Sequence, residues 1–419
     1  MELQHDRIIN GLLKADIGLV TPEMVRARLA QDVAIYVGQN RADARDLWPC
    51  VWFLAAVLER QFTGRVLISA GLTEALCAPV PLGSRCEFRS GKMPECEITI
   101  FVGVKPFGNA DIMILGDTRG NELSYGRLLN SSESANPINC CALAGYLGFA
   151  ALARAVGIPA FRKEWCEETI RLPFTVLADS VPDFSVLGAG QVGQAFLALY
   201  YFLAAGKSVS VHLLDKDYFE ICNRRTQILL AETTEKWNRK SKVEYLAEVC
   251  RGWGWNVLPE QTEIKWGWKH EVPNHPFAFL GFDNMDARRI AVEGGFQWLF
   301  ECGVGTDFCQ PRVTWHSIPS DRMLATHIFR DPARRKRPTS SFAKSLADSP
   351  AECGRVVFES IQASAPSLGL VAVAETWAEI MGFLAGDMDP YAGTAFVWSP
   401  FLPALREPLN NLLSTLSAL

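Results

Sequence analysis

Gly188-Ala189-Gly190-Gln191-Val192-Gly193 is a GxGxxG placed directly after an apolar run and at the head of a helical pattern. Glycine at those three places permits a tight turn, close backbone approach to a phosphate, and close packing of helix on strand. The helix N-terminus behind the turn offers unsatisfied N–H groups to an anion. Asp215 stands 22 positions after Gly193, where a carboxylate suits a ribose hydroxyl. These features alone fit a dinucleotide dehydrogenase as well as an ATP-using enzyme.

The segment that follows, Asp215-Lys216-Asp217-Tyr218-Phe219-Glu220-Ile221-Cys222-Asn223-Arg224-Arg225-Thr226-Gln227, separates the two. Hydride transfer has no use for so dense a polar cluster. Nucleotidyl transfer does, because the triphosphate's charge must be neutralised as pyrophosphate departs. Arg224 and Arg225 are placed either to reach phosphates or to form an exposed helix face, and Lys240 and Lys242 add positive charge from the next helical stretch. Asp283-Asn284 ends a later strand, at the carboxyl edge where open α/β sheets bind ligands. Asp283 is the candidate Mg²⁺ ligand, since hard cations prefer oxygen. Arg288, one turn into the following helix, is placed for Asp283 or for a phosphate.

A thiolate can capture an acyl-adenylate as a thioester, and a reactive one is exposed or mobile near positive charge. Cys353, in Glu352-Cys353-Gly354-Arg355, follows a basic, proline-punctuated stretch, Asp331 to Pro338, that reads as a flexible loop or as a guide for an acidic partner. Cys309 and Cys302 are alternatives, as is a chain with no catalytic cysteine. Cys222 is expected to pack beneath the nucleotide segment. The six histidines are scattered and suggest ordinary structural roles.

The elements that must hold these residues alternate. Strands are expected at Phe184–Leu187, Ser208–Asp215, Asn256–Pro259, Phe277–Asp283 and Trp298–Val304. Helices are expected at Gln191–Ala205, Arg239–Arg251 and Ala287–Gly294, which together make a parallel, doubly wound sheet. Arg312–Ile318 and Met323–Phe329 read as a strand pair, and Leu368–Leu384 as an apolar helix. Before Pro182, helices are expected from Thr21-Pro22-Glu23, over Trp48–Gln61, and from Asn136-Pro137 to Gly157, with strands at Arg65–Ala70, Cys96–Val104 and Asp111–Leu115. This half has no glycine-rich phosphate loop, and scaffolding is its expected role. The 419 residues thus divide into an N-terminal α/β domain, 1–180, and a second domain, 181–419.

The net charge of −5 gives no support for a nucleic-acid or anionic-membrane partner. No apolar run is seen to approach the roughly 20 residues needed to span a bilayer, and no signal core is evident, so a cytoplasmic protein is expected. Twelve cysteines without a CxxC pair suggest reduced thiols, with a structural zinc not expected.

In order and spacing the motifs resemble the ThiF/MoeB/ubiquitin-activating superfamily of adenylating enzymes. Its pattern is a GxGxxG, then Asp-x-Asp-x-x-Glu-x-x-Asn-x-x-Arg-Gln, a helix-borne lysine, and Asp-Asn with an arginine five residues after the Asp. Gly188, Gly190, Gly193, Asp215, Asp217, Glu220, Asn223, Gln227, Asp283, Asn284 and Arg288 match, with Lys242 ahead of Lys240 for the lysine. Thr226 stands where the family has arginine, and Arg225 lies one residue earlier.

The resemblance covers about Pro182 to the C-terminus and implies a Rossmann-like adenylation domain using ATP and Mg²⁺. It also implies a crossover loop at about 330–355 with Cys353 in the thioester position. The zinc-binding cysteine pairs usual in the family are missing. Among its branches the chain looks most like bacterial ubiquitin-like-protein activating enzymes, including those of Bil-type antiphage systems. The implied partners are a ubiquitin-like protein ending in glycine and a conjugating enzyme. The implied assembly is a homodimer, or an intramolecular pair in which residues 1–180 are an inactive adenylation-like half. An arginine reaching ATP from the neighbouring half is a family feature, for which Arg7 is one candidate. A sulfur-carrier adenylyltransferase without an enzyme thioester, or a non-catalytic scaffold, are the alternatives.

Overall fold

Val33-Ala34-Ile35-Tyr36-Val37 is a run of β-branched and aromatic residues between Asp32 and Gly38, and it forms the central strand of an N-terminal sheet. The computed structural model describes residues 6–15, 21–38, 41–69, 78–91, 93–158, 169–171, 181–204, 206–272, 275–304, 313–319, 365–386, 394–399 and 402–408. The N-terminal elements in chain order are α1 (Arg7–Ala15), α2 (Pro22–Leu29), β1 (Val33–Val37), α3 (Arg41–Asp46), α4 (Trp48–Gln61), β2 (Val66–Ser69), β3 (Cys86–Arg89), β4 (Ile98–Val102), β5 (Ile112–Arg119), β6 (Glu122–Tyr125), α5 (Pro137–Val156) and β7 (Thr169–Arg171). They are followed by β8 (Phe184–Leu187), α6 (Gln191–Ala204), β9 (Ser210–Leu214), α7 (Lys242–Gly252), β10 (Asn256–Glu260), β11 (Phe277–Leu280), α8 (Met285–Val292), β12 (Trp298–Val304), β13 (Val313–Pro319), α9 (Pro366–Ala385), β14 (Thr394–Ser399) and β15 (Leu402–Pro408).

The two sheets have the same topology. The first runs β3-β2-β1-β4-β5-β6-β7 and the second β10-β9-β8-β11-β12-β13-β14-β15. In each, the first five strands in sequence pair in parallel and the later ones antiparallel. Each also places a long helix, α5 or α9, between its sixth and seventh strands. The correspondence reaches single hydrogen bonds. Ile35 pairs with Ile68 and Leu187 with Leu214, so Ser69 and Asp215 follow at matching register. Val37 N donates to Ser69 Oγ (3.1 Å), as Ala189 N donates to Asp215 Oδ2 (2.7 Å).

Helix ends follow their sequence signals. Thr21 Oγ1 accepts from Met24 N to cap α2, and Asn136 Oδ1 accepts from Asn139 N to cap α5. Gly157, left-handed at φ 78°, closes α5. α7 begins at Lys242, later than expected, because Arg239 has φ 63° and the preceding chain is tied to residues 217–219: Phe219 N donates to Lys240 O, and Arg239 N to Phe219 O. Met323–Phe329 lies outside the described residues.

The sequence expectation of no near-membrane-length apolar run is corrected by α5 and α9. Each has 20 residues and is apolar enough to cross a bilayer, yet 94% and 83% of those stretches are buried inside the molecule. They bury each other. Helices apolar all round need protein on every side, and α5 is covered by α4, α6 and α9. Cys141 Sγ lies 3.5 Å from Leu370 O across the α5–α9 contact, and Gln61 Nε2 donates to Ser367 Oγ (2.5 Å). One apolar core therefore runs through both halves, including Trp52 and Phe149 from the first and Phe196 and Trp377 from the second.

α5 and α9 approach closely at Gly145, where a Cβ would stand 2.6 Å from Ser367 O and 2.8 Å from Val371 Cγ2. Gly145→Val should lower stability by about 1–3 kcal/mol through overpacking, read as a shift of a single denaturant transition. A Gly252→Ala control, with open space around it and no left-handed backbone, would carry neither clash nor strain.

Candidate functional site

In the second sheet β8 has β9 on one side and β11 on the other, so the strand order reverses there and leaves a crevice at the carboxyl ends. A cavity of about 1020 Å³ occupies it. Gly188 turns the chain out of β8 with φ 104°, and its Cβ would sit 2.7 Å from Gly281 C, so only glycine lets these two backbones meet. Gly190 faces open space, a cradle that a side chain would fill. Gly193 is not in the cavity wall; a Cβ there would run into the Gly188 carbonyl oxygen, so its part is to seat α6 against the turn.

Asp215 is buried and lines the cavity, with its carboxylate accepting from Ala189 N and from Asp217 N (2.9 Å). Burial raises its pKa, and Lys242 and the two amides act in the opposite direction. Asp217 is exposed and pairs with Lys242 Nζ at 2.9 Å. Gln227 is held by Gln194, whose Nε2 donates to its Oε1 (2.6 Å) and whose Oε1 accepts from Leu229 N. Asn223 Oδ1 accepts from Glu220 N, closing the 3-10 turn Ile221–Arg225. Asp217, Asn223, Gln227 and Lys242 all line the cavity.

On the β11 side, Asn284 Oδ1 caps α8 by accepting from Asp286 N (2.8 Å). Asp283 lines the cavity with an exposed carboxylate that has no protein partner among the described residues. Arg288 does not hold Asp283, as the sequence allowed. It donates to Phe282 O and pairs with buried Glu301, so it braces the turn that presents Asp283.

Two further expectations are corrected. Lys240 stands outside the cavity, paired with Glu248 at 3.5 Å, which leaves Lys242 as the lysine of the site. Arg225 is also outside: its guanidinium is taken up by Asp6 at 3.2 Å and by Gln61 O, to which it donates (3.0 Å). Arg7 lines the cavity instead, from α1. The family resemblance offered it as one candidate for an arginine from the neighbouring half, although no local motif marks it.

Cys222 is buried, as expected. Burial raises its thiol pKa, and Arg7 beside it lowers it. Cys302 reaches the cavity wall but is buried, and burial together with Glu301 pushes its thiol far up, the opposite of what a nucleophile needs. Cys353, Cys309 and the loop at 330–355 lie outside the described residues. The eight described cysteines are all unpaired thiols.

Two other features have no signal in linear spacing. Trp266, 67% exposed, stands in the cavity wall beside Ile264 and Lys265, beyond the end of β10. Three of the histidines also converge: the rings of His212 and His270 are 5.5 Å apart and those of His270 and His275 6.4 Å. They come from β9 and from the chain between β10 and β11, a proximity invisible in linear spacing. His212 Nε2 donates to Glu260 (2.9 Å), so its Nδ1 accepts from Ser185 Oγ (3.3 Å).

A glycine cradle ringed by carboxylates and cations at the switch point of a doubly wound sheet defines the class of this site. Residues 182–387, just under half of the chain, match the family described as the BilD C-terminal domain. No curated protein matches the sequence. Solved structures similar to the chain include E. coli MccB with MccA-N7isoASN, at 15% identity over 54% of this chain and TM-score 0.36. The chain spans 64% of that MccB chain, less than two thirds of its length. E. coli MccB with ATP is 16% identical over 54% of this chain and 64% of its own, at TM-score 0.34. E. coli MccB with AMPCPP and selenomethionine MccA is 15% identical over 64% and 71%, at 0.37.

The histidine cluster makes stability depend on pH. Burial, then His275, depresses His212 to about 4, and burial, then His212 and His275, depresses His270 to about 4. The unfolded chain, with histidines near 6.5, then binds more protons than the folded one at acid pH. This contribution is full above 6.5 and is lost as pH falls toward 4. Denaturant midpoints measured across that window should drop, and the drop should be smaller in His212→Asn.

Proposed function

We propose that this protein activates the C-terminal carboxylate of a small ubiquitin-like protein by adenylation, and passes the acyl group to a cysteine thiol. The observation that carries this reading is one cavity that joins a glycine cradle to an unpartnered carboxylate, Asp283, with Lys242 and Arg7 at its wall. The match of residues 182–387 to the BilD C-terminal domain supports it.

An incoming carboxylate oxygen bonds to the α-phosphorus while the bond from that phosphorus to the bridging oxygen of the β-phosphate breaks, so acyl-adenylate and pyrophosphate form. The backbone N–H groups of the cradle and of the first turn of α6 bind phosphate oxygens. Asp215 orders the cradle through Ala189 N and is placed for the ribose. Lys242, set by Asp217, and Arg7 offset the charge that builds on the departing pyrophosphate. Asp283, with Arg288 and Glu301 bracing its turn, is the residue to hold Mg²⁺, and such an ion supplies further neutralisation of the phosphates. The thiolate of Cys353 then bonds to the acyl carbon as AMP leaves, and the thioester passes to a conjugating enzyme.

The N-terminal half enters the same reading as an adenylation fold that has lost its site. Its sheet keeps the strand order and the Ser69 hydrogen bond, but by that register the stretch equivalent to Gly188–Gly193 reads Tyr36-Val37-Gly38-Gln39-Asn40-Arg41, with one glycine of three. Gly103-Val104 follows β4 where Asp283-Asn284 stands beyond β11. The pair of domains in one chain takes the place of a homodimer.

ATP–pyrophosphate exchange with a glycine-ended ubiquitin-like protein tests the reading. Wild type should exchange, and Asp283→Ala should lose roughly a hundredfold or more, as when one group stabilising transition-state charge is removed. On a non-reducing gel the wild type should form a reducible adduct that Cys353→Ala lacks while keeping exchange. No exchange in wild type would sink adenylation. Exchange without adduct would leave a sulfur-carrier adenylyltransferase that stops at the adenylate.

A further inference from the structure

We infer that Arg225 is a positioning residue: it anchors the start of α1 so that Arg7 is delivered into the triphosphate site. The inference rests on the proposal that the cavity takes a nucleoside triphosphate.

The geometry is a chain of fixed contacts. Asp6 caps α1, its Oδ1 accepting from Ile8 N (3.1 Å) and Ile9 N (3.0 Å), and its Oδ2 lies 3.2 Å from Arg225 Nε. The same guanidinium donates from Nη2 to Gln61 O (3.0 Å) and from Nη1 to Phe62 O (3.5 Å), at the carboxyl end of α4. Those carbonyls belong to a helix end whose last acceptors have no partner within the helix and which carries partial negative charge. Arg225 thus sits against the end of α4, and its Nε edge faces the carboxylate that caps α1. Arg7 is the next residue after that cap.

Among the described residues lining the cavity, Arg7 alone comes from before residue 181. It also lies against the thiol of Cys222, on the same 3-10 turn as Arg225. One short turn therefore touches the arginine and holds its helix. Asp6 cancels the charge of Arg225 at the buried end, while the charge of Arg7 is directed to the cavity. The arginine expected at the phosphates is one residue out of register, and the cation reaching them comes from the other half of the molecule. Placement matters here because a shift of about 1 Å in a charge-stabilising group can cost on the order of a hundredfold.

A double-mutant cycle tests this. ATP and AMP affinities are measured by calorimetry for wild type, Arg7→Ala, Arg225→Gln and the double variant. Hydrogen exchange of residues 7–15 is followed without nucleotide. Arg7→Ala should weaken ATP by roughly ten- to a hundredfold, the loss of one charge-assisted hydrogen bond, with AMP nearly unchanged. Arg225→Gln should reproduce that selective loss and speed exchange in α1, and the double variant should bind ATP no worse than Arg7→Ala. Arg225→Lys keeps the charge but loses the fork, and should fall between.

If Arg225→Gln fails to fold, Asp6→Asn serves instead, since asparagine still caps the helix while the charge pair is gone. It should show the same loss for ATP over AMP. Additive losses, equal weakening of ATP and AMP, or unchanged exchange in α1 would each overturn the anchoring role and leave the triphosphate site standing. Wild type that binds ATP no better than AMP would overturn the triphosphate reading itself, and the inference with it.

Discussion

Two helices that are apolar on every face must find protein on every face, and α5 and α9 satisfy that need mainly with each other. Everything else in the architecture is compatible with this contact. Each helix belongs to a different sheet and occupies the same place in its sheet's order, so packing one on the other sets the two sheets around a common core. The small residue Gly145 lets the backbones approach closely enough for Gln61 on α4 to reach Ser367 at the head of α9. A loose contact at this seam would leave the arginine ties beside it without fixed acceptors.

Those ties show how polar groups exploit an apolar seam. Arg60 on α4 is buried and donates to Gln227 O (3.3 Å) and Leu230 O (2.7 Å), and Arg225 returns the gesture to Gln61 and Phe62. A buried guanidinium is costly unless its donors are satisfied, and here backbone carbonyls do most of that. The segment carrying Asn223 and Gln227 is therefore pinned from the first half, while Gln194 and Asp217–Lys242 pin it from the second. This part of the cavity wall is thus tied to both halves.

Much of this was legible in the residues. The glycine turn, its flanking strand and helix, the caps Thr21 and Asn136, and the stop at Gly157 all carry local signals with a direct physical cause. β1 did not stand out, since five apolar residues have no periodicity to tell strand from helix. The likeness of the two halves was hidden because it lives in strand order, and the shared hydrogen bond is made by serine in one half and aspartate in the other. Arg225 was placed in the site by motif spacing, but a one-residue shift on a 3-10 turn rotates a side chain by about a third of a circle. The histidine cluster and Arg7 depend on contacts between distant segments, which no window of sequence contains.

The position of α1 has a kinetic meaning. A cation borrowed from a separate subunit is present only as often as the subunits are associated, so its supply falls as the protein is diluted. Here the helix bearing Arg7 is part of the chain whose cavity it enters. Its local concentration is then fixed by the tether, in the millimolar range or above for short connections. Arg7 therefore stays at the cavity of its own chain at any dilution.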